Sequence, residues 1–169
     1  LKYQGKELET VVQDSASAPI EQLVEKLATD PSMIGIVGPV LSNSVRDSVS
    51  IADRYHLPMM TPTATSSGLG KLSPYIFRNV VTRELQGKYI AEYAVNRLGL
   101  RRFVILHPSE EFGFELTDAF VEEVESLGGE VISVISYERS QTDFKKQIHE
   151  MGGIDDDGLR TLVNDQTKN

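Results

Sequence analysis

What most constrains this chain is an alternation of two periods. Short apolar or period-two runs that suit strands are separated by longer segments whose apolar residues return every three or four positions. Residues 8–14 alternate as a strand would. Ser17 and Pro19 then supply a helix start, and Ile20, Leu23, Val24, Leu27 and Ala28 recur on one helical face. Residues 33–37 form a short continuous apolar run, the pattern of a strand covered on both faces, as parallel strands are. A second helix follows with Val45, Val49 and Ala52 on one side. Residues 56–60 make a third strand, a loop of Thr, Ser and Gly runs over residues 61–70, and residues 75–79 read as extended again.

The rhythm then repeats. Residues 82–98 suit a helix with Ile90, Ala94 and Leu98 on one face, and residues 103–106 a buried-type strand. Another helix carries Leu116, Ala119, Phe120, Val124 and Leu127. It ends at Gly128-Gly129, where glycine takes the left-handed conformation that closes helices. A strand over 131–135 and a short helix over 144–151, with Ile148 inward, precede an Asp155-Asp156-Asp157 run and a weak final helix. Strands alternating with helices in both stretches predict an α/β fold with parallel sheets and helices on both faces. A length of 169 residues suits one ordinary domain or two small lobes.

Composition removes several functions. A net charge of −8 repels a phosphate backbone, and Arg101-Arg102 and Lys145-Lys146 are too short to form a basic stripe, so no nucleic-acid partner is expected. No apolar run approaches the roughly 20 residues of a spanning helix. The absence of cysteine excludes a disulfide framework, a thiolate nucleophile and a cysteine zinc site, and leaves the compartment open. No signal peptide precedes Leu1. The charged opening segment reads as that of a processed or trimmed piece, and the chain is expected to be a fragment.

Catalytic constellations are missing. Gly68-Leu69-Gly70-Lys71 would need glycine at Thr65 and a hydroxyl residue at Leu72 to make a phosphate loop. A calcium loop around Asp155-Asp156-Asp157-Gly158 would begin on Gly153 and close on Asn164, neither of which serves; the run reads as a hydrated turn. His56, His107 and His149 are isolated, with no i,i+4 pair for a metal and no nucleophile elbow. Glu110 and Glu111 are adjacent and point in different directions. The expectation is a protein that holds a ligand rather than an enzyme, with no cofactor and no metal.

In open parallel sheets ligands sit beyond the carboxyl ends of the strands. Two segments there are dense in hydroxyls: Gly38-Pro39-Val40-Leu41-Ser42-Asn43-Ser44 and Thr61-Pro62-Thr63-Ala64-Thr65-Ser66-Ser67. The first stands at a helix start whose free N–H groups favour a carboxylate or phosphate. Taken singly, Ser42 or Ser44 is an N-cap and the second loop a solvated turn.

Taken together, Gly38-Pro39 with Ser42, then Leu57-Pro58 with Thr61-Pro62-Thr63-Ala64-Thr65, resemble the type I periplasmic binding proteins of the branched-chain amino acid group, whose relatives include receptor domains that hold glutamate. Further matches are the Gly5-Lys6-Glu7-Leu8-Glu9 strand ending in Asp14, Tyr75-Ile76-Phe77-Arg78, Gln86-Gly87 and Phe112-Gly113. The resemblance covers roughly residues 5–148.

It implies two Rossmann-like lobes, both incomplete: residues 1–80 as a first lobe lacking its first strand and helix, and residues 81–169 as part of a second, with the first crossing at residues 80–83. It also implies ligand-binding roles for Ser42, Thr63, Ala64, Thr65 and Phe112. Ser42 and Thr65 would hydrogen-bond a ligand carboxylate, and the Thr63 backbone would accept from an ammonium. Phe112 stands where the family has tyrosine, keeping the apolar cover and losing a hydroxyl. One acidic position that pairs the ammonium falls on Leu85, and another lies past Asn169. The implied function is solute binding in an interlobe cleft for ABC-type amino acid uptake, in the periplasm or cell envelope, with a membrane permease or envelope protein as partner. The competing expectation is an envelope interaction module with a vestigial cleft, which Phe112 and the absent acid favour.

Overall fold

The computed structural model describes residues 2–3 and 5–152. The chain divides into two compact units, Leu1–Val80 and Val81–Asn169. The acidic run at residues 155–157 and the weak final helix lie outside the described residues.

The first unit opens with β1 (Lys2–Tyr3) paired antiparallel to β2 (Lys6–Glu7), with Gly5 at φ +79 between them. The strand expected over residues 8–14 does not form. No described strand pairs with this stretch, and Val11 and Val12 are 52% and 84% exposed, so an alternating pattern without a ladder partner stays irregular. Asp14 instead closes a turn, its carboxylate accepting from Ala16 N (2.9 Å), and Pro19 leads into α1 (Ile20–Ala28).

β3 (Ile36–Val37), α2 (Ser42–Tyr55), β4 (Met59–Thr61), a 3₁₀ turn (Leu69–Lys71) and β5 (Ile76–Arg78) complete the unit as a parallel sheet in the order β3-β4-β5. Register explains the core. Ile36, Met59 and Ile76 stand side by side and pack with Val24, Val45, Ile51 and Ala52 of the helices and with Ala64 and Leu69 of the loop after β4.

Their neighbours Val37, Met60 and Phe77 point the other way and are 84%, 46% and 49% exposed. The expectation that residues 33–37 form a strand covered on both faces is therefore corrected. Only two of them join the ladder, and both helices of this unit pack on one face. The expected third strand starts at Met59 rather than His56, because His56 ends α2 in the left-handed conformation (φ 51) with its ring edge-on to Tyr75.

The second unit contains α3 (Arg83–Glu92), a π turn (Tyr93–Arg97), β6 (Arg102–Pro108), α4 (Glu111–Ser126), β7 (Glu130–Tyr137) and α5 (Lys145–Gly152), with β6 and β7 parallel across a bulge at Phe103/Val104. Ala91, Val95 and Val124 are its buried centre, with Phe103, Phe120, Leu127 and Val131 around them.

The expected stripe of Ile90, Ala94 and Leu98 is corrected: Ile90 and Leu98 are more than half exposed, and Gly87, Ala91, Ala94 and Val95 face inward. Two causes act together. A Cβ on Gly87 would stand 2.7 Å from Leu116 O and 2.9 Å from Ala119 Cβ, so α3 meets α4 where it has no side chain. The π turn then shifts the helical phase. Gly128, at φ +74, ends α4 as expected. In α5 the inward residue is Gln147 rather than Ile148. It is buried because it exchanges amide hydrogen bonds with Gln141 (2.7 and 3.2 Å).

Candidate functional site

β3 and β4 end side by side, so the segments that follow them start as neighbours. Gly38 donates its N–H to Met60 O (2.8 Å) at φ +137, a conformation open to glycine, and the chain turns into α2. Ser42 is the first residue of α2. Leu41 holds the capping position and has no side-chain hydrogen bond to offer, so the N-cap reading of Ser42 and Ser44 is set aside. Ser42 Oγ accepts instead from Ser66 N–H (3.3 Å) in the loop after β4.

That loop is not a solvated turn. Thr61 is buried, donates to Pro39 O (2.7 Å) and accepts from Ala64 N (3.2 Å). Thr63 Oγ1 donates to Val40 O (2.7 Å). The Ala64 methyl sits in the core cluster, Thr65 is half-buried, and Ser66 is fully buried. Hydroxyls therefore take the place of a ladder and fasten the second loop along the first. The result is a polar shelf at the amino end of a 14-residue helix, where unpaired backbone N–H groups and the helix dipole favour an anion.

The structure thus brings Ser42, Thr63, Ala64 and Thr65 together on one wall. Ser66, Arg46 and Arg78, none of them assigned a ligand-binding role from sequence, belong to the same wall. Arg46 donates to Asn43 Oδ1 (2.9 Å) and to Ser66 Oγ (2.5 Å), and Arg78, at the end of β5, donates to Ser66 O (2.7 Å). Arg46 had one legible signal: four residues after Ser42, it shares that helix face.

Phe112 belongs to the second unit, near the start of α4, and is 42% exposed. The Arg83 guanidinium lies 5.4 Å from its ring centroid and is bracketed by Glu111 (3.7 Å) and Glu115 (3.4 Å). Gly113, next to Phe112, packs so close to Pro108 O that a Cβ there would come within 2.1 Å. Leu85 lies exposed on α3. His107 is buried with its ring edge-on to Phe114 and Nδ1 2.9 Å from Pro108 O. Among the described residues no group of three or more His, Asp or Glu side chains is gathered to hold a metal, and no helix is long and apolar enough to cross a membrane.

Comparison with known proteins bears on the family and the fold. The chain is 24% identical over 149 residues to the leucine-, isoleucine-, valine-, threonine- and alanine-binding protein of Pseudomonas aeruginosa, covering 87% of this chain and 40% of that protein. The ABC transporter substrate-binding protein of Sphaerobacter thermophilus superposes with a TM-score of 0.81 at 25% identity, covering 88% of this chain and 42% of that one. The branched-chain amino acid transporter substrate-binding protein of Streptococcus pneumoniae, solved with isoleucine, gives 0.73 at 26% identity, covering 89% and 43%. The chain thus spans less than half the length of these relatives. The periplasmic binding protein family model matches residues 2–153, nearly the whole sequence, and with the α/β architecture shared with type I members the chain belongs to the periplasmic binding protein family.

Proposed function

We propose that this chain is part of a solute-binding protein that holds a small carboxylate-bearing ligand, amino acid-like in size, for ABC-type uptake. The observation that supports it is the hydroxyl-stitched shelf of Ser42 and Thr63 to Ser66 at the amino end of α2. Ser42 Oγ already accepts from Ser66 N–H, so its own proton is the one to offer an acceptor. A carboxylate supplies acceptors only, and the helix terminus adds a favourable field. In this reading Thr65 gives the second hydrogen bond, the Thr63 and Ala64 backbone lines the polar end, and Phe112 covers the apolar part of the ligand. The protein binds and releases its ligand without transforming it, works in the periplasm or cell envelope, and delivers to a membrane permease.

The test uses the complete protein and calorimetric titration with small carboxylates, including L-isoleucine and 4-hydroxybenzoate. Ser42→Ala and Thr65→Ala should each weaken binding by about 1–3 kcal/mol, the range for removing a hydrogen bond to a charged group. Equal affinity in both variants and the parent would refute the assignment. A complete protein that binds none of the panel but keeps a protein partner would select the envelope interaction module. The resemblance implies an acid at the position of Leu85 in amino acid binders, so 4-hydroxybenzoate, which has no ammonium, is an informative member of the panel.

A further inference from the structure

Ser66 directly follows Thr65 and is fully buried. Three of its groups are fastened to three separate places. Its N–H donates to Ser42 Oγ at the start of α2, its Oγ accepts from Arg46 Nη2 within α2, and its carbonyl accepts from Arg78 Nη1 at the end of β5. The other terminal nitrogen of Arg46 donates to Asn43 Oδ1, beside Ser42. One planar guanidinium therefore spans the first turn of α2 and the loop after β4. Its donors lie in a rigid fork, which holds two acceptors at a set separation, whereas a lysine ammonium on the same stem is a single rotatable point.

A buried serine needs its polar groups satisfied, but neutral partners would suffice for that. Bonds from charged donors are roughly twice as strong as neutral ones, and two of them converge here on one residue. Ser66 is also the residue that joins the two loops, since it bonds Ser42 and is covalently next to Thr65. Movement of Ser66 would change the spacing between the two hydroxyls and release Ser42 Oγ to turn.

We propose that Arg46 and Arg78 are positioning residues that clamp Ser66 and thereby set the Ser42–Thr65 grip, making it selective for a carboxylate over its amide. The proposal rests on the reading that Ser42 and Thr65 hold a ligand carboxylate. Arg46 does not touch the ligand; it acts through Ser66. The clamp keeps one Ser42 lone pair occupied by the Ser66 N–H and the hydroxyl proton directed outward. A carboxylate accepts that proton with either oxygen, whereas a carboxamide has one acceptor and turns an NH2 donor toward the other hydroxyl.

The experiment measures binding of L-isoleucine and 4-hydroxybenzoate, each beside its carboxamide, to the complete protein by calorimetry. The variants are Arg46→Met, Arg46→Lys, Ser42→Ala and the Ser42→Ala/Arg46→Met pair. Arg46→Met should weaken carboxylate binding about tenfold, within the range for a lost charge-assisted contact, and leave carboxamide binding nearly unchanged. Arg46→Lys should restore part of the loss.

In the Ser42→Ala background the same change should cost less than about twofold, because residues acting through one another are not additive. The unligated Arg46→Met variant should keep the parent's circular dichroism, so that a loss of affinity is not a loss of fold. Should Arg46→Met fail to fold, Ser66→Ala, which removes the Oγ that Arg46 holds, carries the same cycle. Parent-like affinity, equal losses for carboxylate and carboxamide, or full additivity with Ser42→Ala would overturn the proposal. If the parent binds neither carboxylate, the functional reading falls and the clamp with it. If Ser42→Ala weakens binding and Arg46→Met does not, the clamp alone falls.

Discussion

The two units hold their candidate ligand groups by different physics. In the first, residues with little apolar surface are fixed by side-chain hydrogen bonds to neighbouring backbone: Thr61 to Pro39 and Ala64, Thr63 to Val40, Ser42 to Ser66. In the second, Phe112 is placed by close packing. Gly113 presses on Pro108, Gly87 lets α3 reach α4, and Arg83 lies beside the aromatic ring. Hydrogen bonds specify direction and can be removed singly, at about 1–3 kcal/mol for a buried group left unpaired. Close packing specifies volume, and a misfit spreads to every neighbour that cannot move.

The largest effect should therefore come from the packed unit. In Gly113→Ala the new Cβ would lie 2.1 Å from Pro108 O and 2.9 Å from His107 Nδ1, and the nearer atom is backbone with no rotamer to escape into. The complete protein should lose about 3 kcal/mol in urea unfolding, at the upper end of overpacking losses. A loss below about 0.5 kcal/mol, the level of an ordinary surface substitution, would mean that the Pro108 turn yields freely and that packing does not fix Phe112.

The next effect tests the stitched unit. Thr61→Val keeps the shape and removes the hydroxyl, leaving Pro39 O and Ala64 N–H without their buried partner. We expect a stability loss of about 1–3 kcal/mol, with the sheet intact by circular dichroism. A stability equal to the parent would show that the polar shelf is held by backbone path alone, and the contrast between the units would disappear.

The same contrast explains what the sequence made legible. Helices α1, α2 and α4 follow from apolar spacing because each buries one continuous stripe. The phase of α3 does not, since its contact is made by Gly87 and Ala91, residues that carry little hydrophobic signal, and its period changes at Tyr93. The residues 8–14 strand failed because alternation states what a strand would look like and not whether a partner exists. Ile36–Val37 is real but half-open, and its apolar run looks the same with one face covered or two.

For the candidate site, the positions of the two hydroxyl-rich loops were readable from the strands that precede them. The links that fasten them were not: Arg46 meets Ser66 across 20 residues of chain and Arg78 meets it across 12. Such pairings arise only from tertiary placement. Gln147 was hidden for the same reason, since a buried amide is recognisable only once Gln141 stands opposite.

A third substitution places the same kind of bond in a wetter setting. Thr82 Oγ1 caps α3 by accepting from Leu85 N (3.1 Å), as Thr61 Oγ1 accepts from Ala64 N, but it is exposed enough for water to replace it. Thr82→Ala should cost about 1 kcal/mol, the usual value for a lost N-cap, and less than Thr61→Val. The reverse order in parallel urea titrations would show that burial does not set the strength of these bonds.

The smallest effect belongs to charge on the solvent side of α3. Lys88 donates to Glu84 Oε1 (3.2 Å) one turn earlier, and this hydrogen bond with the adjacent carboxylate raises the lysine pKa above its ordinary value. A raised folded-state pKa means that the stabilisation is fully present below the unfolded lysine pKa and is lost as pH rises through the folded one. Both limits lie in the alkaline range, so the pair contributes at neutral pH and fades only in strong alkali. It is solvent-exposed, and an i,i+4 pair of this kind is screened by salt. Lys88→Gln should therefore shift the urea midpoint less than Thr82→Ala at pH 7, and the difference from the parent should shrink further at high salt and in alkali. A difference that grows with pH in the alkaline range would reverse the sign argued here and assign Lys88 a role other than pairing with Glu84.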